Sequence, residues 1–178
     1  MPKKSSQIAL GGMFSALCLV IMFLTGVVPF AMFALPALAG AMLIAVVVEM
    51  GAKTAVMVYV SVSVLSAFIV ANRAAALVFI LFLGYYPILK AKLETCSRSI
   101  EIAIKFAVFN LLVIAAYMLA IHLFGAQEAL EQMDMLGQLA PVVLLALGNA
   151  MFFIYDIALS KYASLYTHRL RKRLLRRW

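Results

Sequence analysis

The chain has 178 residues, of which 67% are hydrophobic and 12% are charged. A soluble domain carries roughly a quarter charged residues, so this composition excludes an ordinary soluble protein, and with it a soluble nucleotide-hydrolysing domain. The net charge of +8 is compatible with a nucleic-acid partner, but the placement of the basic residues indicates a membrane surface. We therefore predict a lipid bilayer, and no nucleic acid, as the partner of the basic residues.

The stretch from Ile8 to Val48 contains no charged side chain. A helix rises ~1.5 Å per residue, so one crossing of a ~30 Å hydrocarbon core needs about 20 apolar residues. The stretch is long enough for two crossings, and Gly26 and Pro29 interrupt it near its middle. We predict a first span over Ile8–Val28 and a second over Phe30–Met50.

Further apolar stretches follow, separated by short polar connections. They predict spans over Thr54–Ala71, Ala74–Leu89, Phe106–Phe124 and Leu139–Ser160. The segment from Lys90 to Lys105 pairs opposite charges at the i,i+4 spacing, which favours an amphipathic surface helix between spans four and five. The sequence therefore predicts an all-α integral membrane protein with six transmembrane helices in a single domain over 1–178.

The basic residues predict the orientation of the chain. With the N-terminus in the cytoplasm, every Lys and Arg except Arg73 falls on the cytoplasmic side, and the acidic loop 125–138 falls outside. Cytoplasmic enrichment of Lys and Arg is the usual rule of membrane topology. We predict both termini inside a bacterial cell membrane, with a basic tail over 161–178 along anionic lipid headgroups.

Polar side chains within the spans are costly in hydrocarbon, so they are the candidates for a function. Arg73 is the cation that departs from the topology rule, and its guanidinium suits either a clamp on an anionic or polar solute or a contact with lipid phosphates. Asp156 lies inside a span, as an ion-pair partner of Lys161, a helix–helix hydrogen-bond acceptor or a coupling acid. The predicted solute-binding residues are Asn72, Arg73, Tyr117, His122 and Asn149.

No catalytic or metal-binding motif appears in the sequence. HExxH, CxxC, a glycine-rich phosphate loop and a Ser–His–Asp set are all missing, and the two histidines fall on opposite predicted faces of the membrane. We predict no enzyme activity, no cofactor and no metal. A small intramembrane enzyme would have only Asp156, Asn149 and His122 as candidate catalytic groups.

Small residues form a stripe on the cytoplasmic half of the first predicted span. Ala9, Gly12 and Ala16 recur at helical spacing, and such stripes let two helices approach closely in lipid. The stripe is predicted either to pack inside this chain or to dock on another membrane protein.

These features resemble the substrate-binding S-component of an energy-coupling-factor (ECF) vitamin transporter. The resemblance rests on the six-helix layout, the small residues of span one, the proline-containing stretch Phe33-Ala34-Leu35-Pro36-Ala37-Leu38 and the turn Glu49-Met50-Gly51-Ala52-Lys53. It implies a solute-binding subunit for vitamin or micronutrient uptake. It also implies that Ala9, Gly12 and Ala16 dock on a transmembrane coupling subunit, while two separate ATPase subunits hydrolyse ATP.

Two other interpretations remain open at this point. A non-transporting scaffold of a bacterial envelope machine, similar in size to the rod-shape-determining proteins, fits the basic tail and would bind protein partners but no solute. A gradient-driven carrier without an internal repeat would need to dimerise.

Overall fold

The computed structural model describes residues 4–28, 31–94, 97–124 and 140–167. Within these ranges the chain is helical and contains no strand, which confirms the all-α class. The helices are α1 (Lys4–Leu24), α2 (Ala34–Met50), α3 (Ala52–Ile69), α4 (Arg73–Val78), α5 (Tyr86–Leu93), α6 (Arg98–Phe124) and α7 (Ala140–Leu165), and a π-helical segment, Phe79–Leu83, connects α4 to α5.

Four segments of the described chain are long and apolar enough to cross a membrane: Ser5–Leu24, Ala52–Ile69, Arg73–Leu93 and Ser99–Ala116. Helix α2 is apolar and has 17 residues, and α7 has 26 residues. Each predicted span overlaps one of these helices, and span four corresponds to α4, the π segment and α5 together. The six crossings and their orientation stay predictions.

The separate surface helix predicted between spans four and five is wrong. Helix α5 continues to Leu93, and α6 begins at Arg98, well before the predicted start of span five at Phe106. Lys90 and Lys105 are buried. Each ammonium group donates to a polar side chain of α7, Lys90 to Ser160 and Lys105 to Asp156. The charged residues between Lys90 and Lys105 therefore belong mainly to the last turn of α5 and the first turns of α6.

The chain divides into two compact units, Met1–Thr95 with Ala158–Trp178 and Cys96–Ile157. In the first unit, α1, α2 and α3 pack against one another, and α5 packs against α2 and α3. The core of this unit is apolar, and its members include Cys18, Met22, Leu43, Val46, Val58, Val62, Phe79 and Ile88. The single domain over 1–178 stays a prediction.

The turn between α2 and α3 consists of one residue, Gly51. Its φ of 86° lies in the left-handed region, which glycine adopts without the steric cost of a Cβ atom. The Gly51 N–H donates to the Val47 carbonyl at 3.0 Å, and the Gly51 carbonyl accepts from the Ala55 N–H at 3.2 Å. One glycine therefore closes one helix and opens the next, which confirms the predicted tight turn.

Candidate functional site

The second unit joins α6 and α7 through a row of side-chain contacts. The paired residues are Lys105 with Asp156, Phe109 with Phe152 and Asn110 with Asn149. The residue numbers rise along α6 as they fall along α7, so the two helices run antiparallel. The row contains a charged cluster and an amide pair, with an aromatic pair beside them.

The charged cluster is centred on Lys105, whose side chain is 6% exposed. Its ammonium group donates to Glu101, one turn earlier on α6, and to the two carboxylate oxygens of Asp156 at 3.1 and 3.3 Å. A buried cation persists when such partners replace its water. The helix–helix alternative predicted for Asp156 is confirmed. Sequence reasoning placed Lys105 on a surface segment and so missed it as the partner.

The amide pair consists of Asn110 and Asn149. Each side-chain nitrogen donates to the other residue's amide oxygen, at 3.3 and 3.2 Å. Each also donates to a carbonyl one turn earlier on its own helix, Phe106 or Leu145, at 2.8 Å in both cases. The N–H donors of both side-chain amides are thus used. The sequence predicted a role for Asn149 but did not indicate that Asn110 is its partner on the other helix.

The aromatic pair fills the space beside these polar groups. The rings of Phe109 and Phe152 stack with centroids 4.4 Å apart and an angle of 21° between their planes. Both side chains are buried. A Cβ atom at Gly148 would lie 3.7 Å from the Phe109 ring, so the small residue on α7 lets this ring lie close to the helix backbone.

Two predicted solute-binding residues lie at helix ends in the first unit. The Asn72 side-chain oxygen accepts from the Ala75 N–H at 3.0 Å and so caps the N-terminus of α4. The exposed Arg73 guanidinium donates to the Ala67 carbonyl at 2.7 Å, in the last turn of α3. The first N–H groups and the last carbonyls of a helix lack intrahelical partners. Asn72 supplies an acceptor at the start of α4, and Arg73 supplies a donor at the end of α3.

The other predicted solute-binding residues belong to the second unit. Asn149 pairs with Asn110, as described above. Tyr117 and His122 fall within α6, but their side chains lie outside the described residues, as does the basic tail from residue 168 onward. The solute-binding role of all five residues stays a prediction.

The small-residue stripe of α1 lies on the exposed face of the helix. Ala9, Gly12 and Ala16 are all exposed, and a Cβ atom at Gly12 would meet nothing within 4 Å. The neighbouring Gly11 faces the other way, since a Cβ atom there would lie 3.6 Å from the Val58 side chain of α3. Helix α1 therefore packs through the Gly11 face and leaves the stripe open.

The π segment lies in the first unit, where it packs against α2 and accepts a hydrogen bond from α3. The Gly84 N–H donates to the Phe79 carbonyl at 2.7 Å, five residues back along the chain. The Ile80 carbonyl accepts instead from the Tyr59 hydroxyl of α3, also at 2.7 Å. A proline in this region, Pro87, would by itself favour an irregularity in the helix, but the change of helix type comes earlier, at residues 79–83.

Within the described ranges, no group of three or more His, Cys, Asp or Glu side chains could hold a metal ion. No protein-family model, curated protein or solved structure matches this chain. Its function is therefore inferred from its own geometry and sequence.

Proposed function

We propose that this chain is the membrane-embedded solute-binding subunit of an ATP-driven uptake transporter of the ECF type, for a vitamin or other micronutrient. It crosses a bacterial cell membrane six times with both termini inside. Two separate ATPase subunits hydrolyse ATP and act on it through a transmembrane coupling subunit.

The open stripe on α1 carries the proposal. Ala9, Gly12 and Ala16 are exposed on the half of the helix that begins the chain, whereas Val20 and Phe23 cover the same face further along and are 59% and 56% exposed. A helix face that meets only lipid gains nothing from small side chains. Small residues do permit the close backbone contact by which helices associate in lipid. The stripe therefore favours a helix of another protein as its partner.

The solute side of the proposal rests on Arg73. Its single described contact, to the Ala67 carbonyl, holds the guanidinium beside the end of α3. A guanidinium carries five N–H donors in a rigid fork, so one carbonyl contact can orient the group while other donors bind a carboxylate or phosphate of the solute. Asn72, the neighbour of Arg73, is a further proposed solute contact. For Tyr117, His122 and Asn149 of the second unit, a solute contact stays a prediction from the sequence.

The test is affinity purification of the tagged protein from its native host in mild detergent, with the co-eluting proteins identified by mass spectrometry. We expect a large helical coupling protein and two ATPases. Gly12→Leu should remove them, since the added side chain fills the open stripe. Val20→Phe, which adds bulk on the same face outside the stripe, should retain them. Retention of all partners by Gly12→Leu at normal expression would contradict the docking role.

A non-transporting envelope scaffold is the second candidate, and one observation favours it. The polar residues that face each other between α6 and α7 bind one another, as in the Asn110–Asn149 pair and the Lys105–Asp156 ion pair. Such pairing can serve architecture alone. In that case cell-wall or cell-division proteins would co-purify, and a screen of vitamins and metabolites would find no ligand.

A further inference from the structure

One carbonyl of the interrupted helix Arg73–Leu93 has two alternative donors. In a regular α-helix the Ile80 carbonyl would accept from the N–H four residues later, that of Gly84. In this structure the Gly84 N–H donates to Phe79, and the Tyr59 hydroxyl takes its place at Ile80. A π-helical turn and one side-chain hydrogen bond from α3 therefore replace one α-helical hydrogen bond.

The surroundings of Gly84 are fitted to the π form. A Cβ atom at this position would lie 2.8 Å from the Tyr59 ring and 2.9 Å from both the ring and the carbonyl oxygen of Phe79. The two rings are themselves in contact, with centroids 6.2 Å apart. Glycine at position 84 thus lets Tyr59 come close enough to reach the Ile80 carbonyl, to which the Gly84 N–H does not donate in the π form.

A change from π to α geometry would turn α5. Successive residues of an α-helix are rotated by about 100°, so a shift by one residue would move each α5 side chain to the place of its neighbour. Lys90 would leave Ser160, to which its ammonium group donates at 2.7 Å. Leu93, now 7% exposed, would exchange its surroundings with an exposed position.

We propose that residues 79–83 form a register switch, in which the Tyr59 hydroxyl holds the π form by occupying the Ile80 carbonyl. When that hydrogen bond is released, the Gly84 N–H moves from the Phe79 carbonyl to the Ile80 carbonyl, and α5 rotates. The π and α forms each satisfy the Gly84 N–H, so the side-chain hydrogen bond sets the balance between them. This switch is independent of the identity of the solute or partner.

The test compares two neighbouring positions on α5 in the full-length protein in membranes. Lys92→Cys and Leu93→Cys are each introduced after replacement of Cys18 and Cys96 by alanine, and both are labelled with a membrane-permeant maleimide. With Tyr59 present, we expect Lys92→Cys to react fast and Leu93→Cys slowly. Adding Tyr59→Phe should raise the Leu93→Cys rate by about fivefold, the factor that corresponds to one lost hydrogen bond of ordinary strength.

Three further variants separate a rotation from general loosening. Gly84→Ala should raise the Leu93→Cys rate in the same way, because its methyl group does not fit the π form, whereas Tyr85→Phe should leave the rate unchanged. Val46→Cys, buried in the core, should stay protected in every background. An unchanged Leu93→Cys rate in both Tyr59→Phe and Gly84→Ala would overturn the switch. An equal rise at Val46→Cys would also overturn it.

Discussion

Helices α1 and α3 meet at a glycine, whereas α6 and α7 meet at charged and amide side chains. At Gly11 the α1 backbone lies against the Val58 and Thr54 side chains. In the second unit, Lys105 and Asp156 form an ion pair, and Asn110 exchanges hydrogen bonds with Asn149. Both units contain helices that are apolar enough to lie in a membrane, but they hold those helices together with different chemistry.

This difference follows from the nature of lipid as a solvent. Burying an apolar side chain against another helix removes it from lipid that is equally apolar, so association depends on close packing or on polar contacts. The first unit uses small residues and interlocking apolar side chains, and the second uses polar groups on facing helices. Added bulk should therefore damage the first unit most, and loss of a charge should damage the second.

The largest effect is expected from Lys105→Met, which leaves Glu101 and Asp156 facing each other without their cation. Removing one partner of a buried ion pair typically costs about 3–5 kcal/mol. We expect a loss near the lower end, about 3 kcal/mol, since both carboxylates keep some exposure to solvent. The measurement is unfolding in mixed detergent micelles followed by circular dichroism. Lys53→Met, at an exposed lysine of α3, is the control, and equal stability of the two variants would contradict the role of Lys105.

A smaller effect is expected from Gly11→Leu in the first unit. Overpacking a well-filled contact costs typically about 1–3 kcal/mol, and the leucine side chain would be pressed against Val58. Gly12→Leu, one residue further along, should leave stability unchanged because its side chain enters open space. The same unfolding titration compares the two variants. A loss of stability in Gly12→Leu as large as that in Gly11→Leu would show that the stripe is packed inside the chain.

The positions of the helices were accessible from sequence because they depend on local features. The predicted spans agree with α1, α2, α3, α6 and α7 to within about five residues at every end except one. The exception is the start of α6, which begins at Arg98 and not at Phe106. The turn between α2 and α3 was predicted within Glu49–Lys53, and Gly51 forms it with a positive φ, which glycine adopts without the steric cost of a Cβ atom. Length and turn chemistry are properties of a short stretch of chain, so a single sequence contains them.

The contacts between helices were not accessible in the same way. Lys105 and Asp156 are far apart in sequence, and the charge pattern around Lys105 equally suited a surface helix. Asn110 is a polar residue in an apolar run, but its pairing with Asn149 depends on the register of two antiparallel helices. The π segment depends on the Tyr59 hydroxyl of another helix. Each of these contacts is a tertiary property with no signal in either partner's own stretch of chain.

A still smaller effect is expected at the amide pair. Interhelical hydrogen bonds in membrane proteins contribute about 0.6 kcal/mol on average and up to about 1.7 kcal/mol. A double-mutant cycle of Asn110→Ala and Asn149→Ala should give a coupling energy in this range, measured by the same titration. Strictly additive losses would show that each amide acts only through the carbonyl of its own helix, Phe106 or Leu145.

The smallest effect on stability is expected from Arg73→Ala. Arg73 is exposed and contributes one hydrogen bond to the Ala67 carbonyl, near the negative end of the α3 dipole. A cation at a helix C-terminus is worth about 0.3–1 kcal/mol, so we expect a loss of about 0.5 kcal/mol in the unfolding titration. This small value makes Arg73 suitable for separating a structural role from a solute-binding role.

Arg73→Lys distinguishes those two roles. A lysine keeps the positive charge near the end of α3, so it should restore most of the stability that alanine loses. It cannot reproduce the planar fork that binds a carboxylate or phosphate through two parallel hydrogen bonds. If Arg73 clamps the solute, both variants should lower the affinity for an anionic ligand in isothermal titration. Unchanged affinity in both would leave Arg73 as the cap of α3 alone.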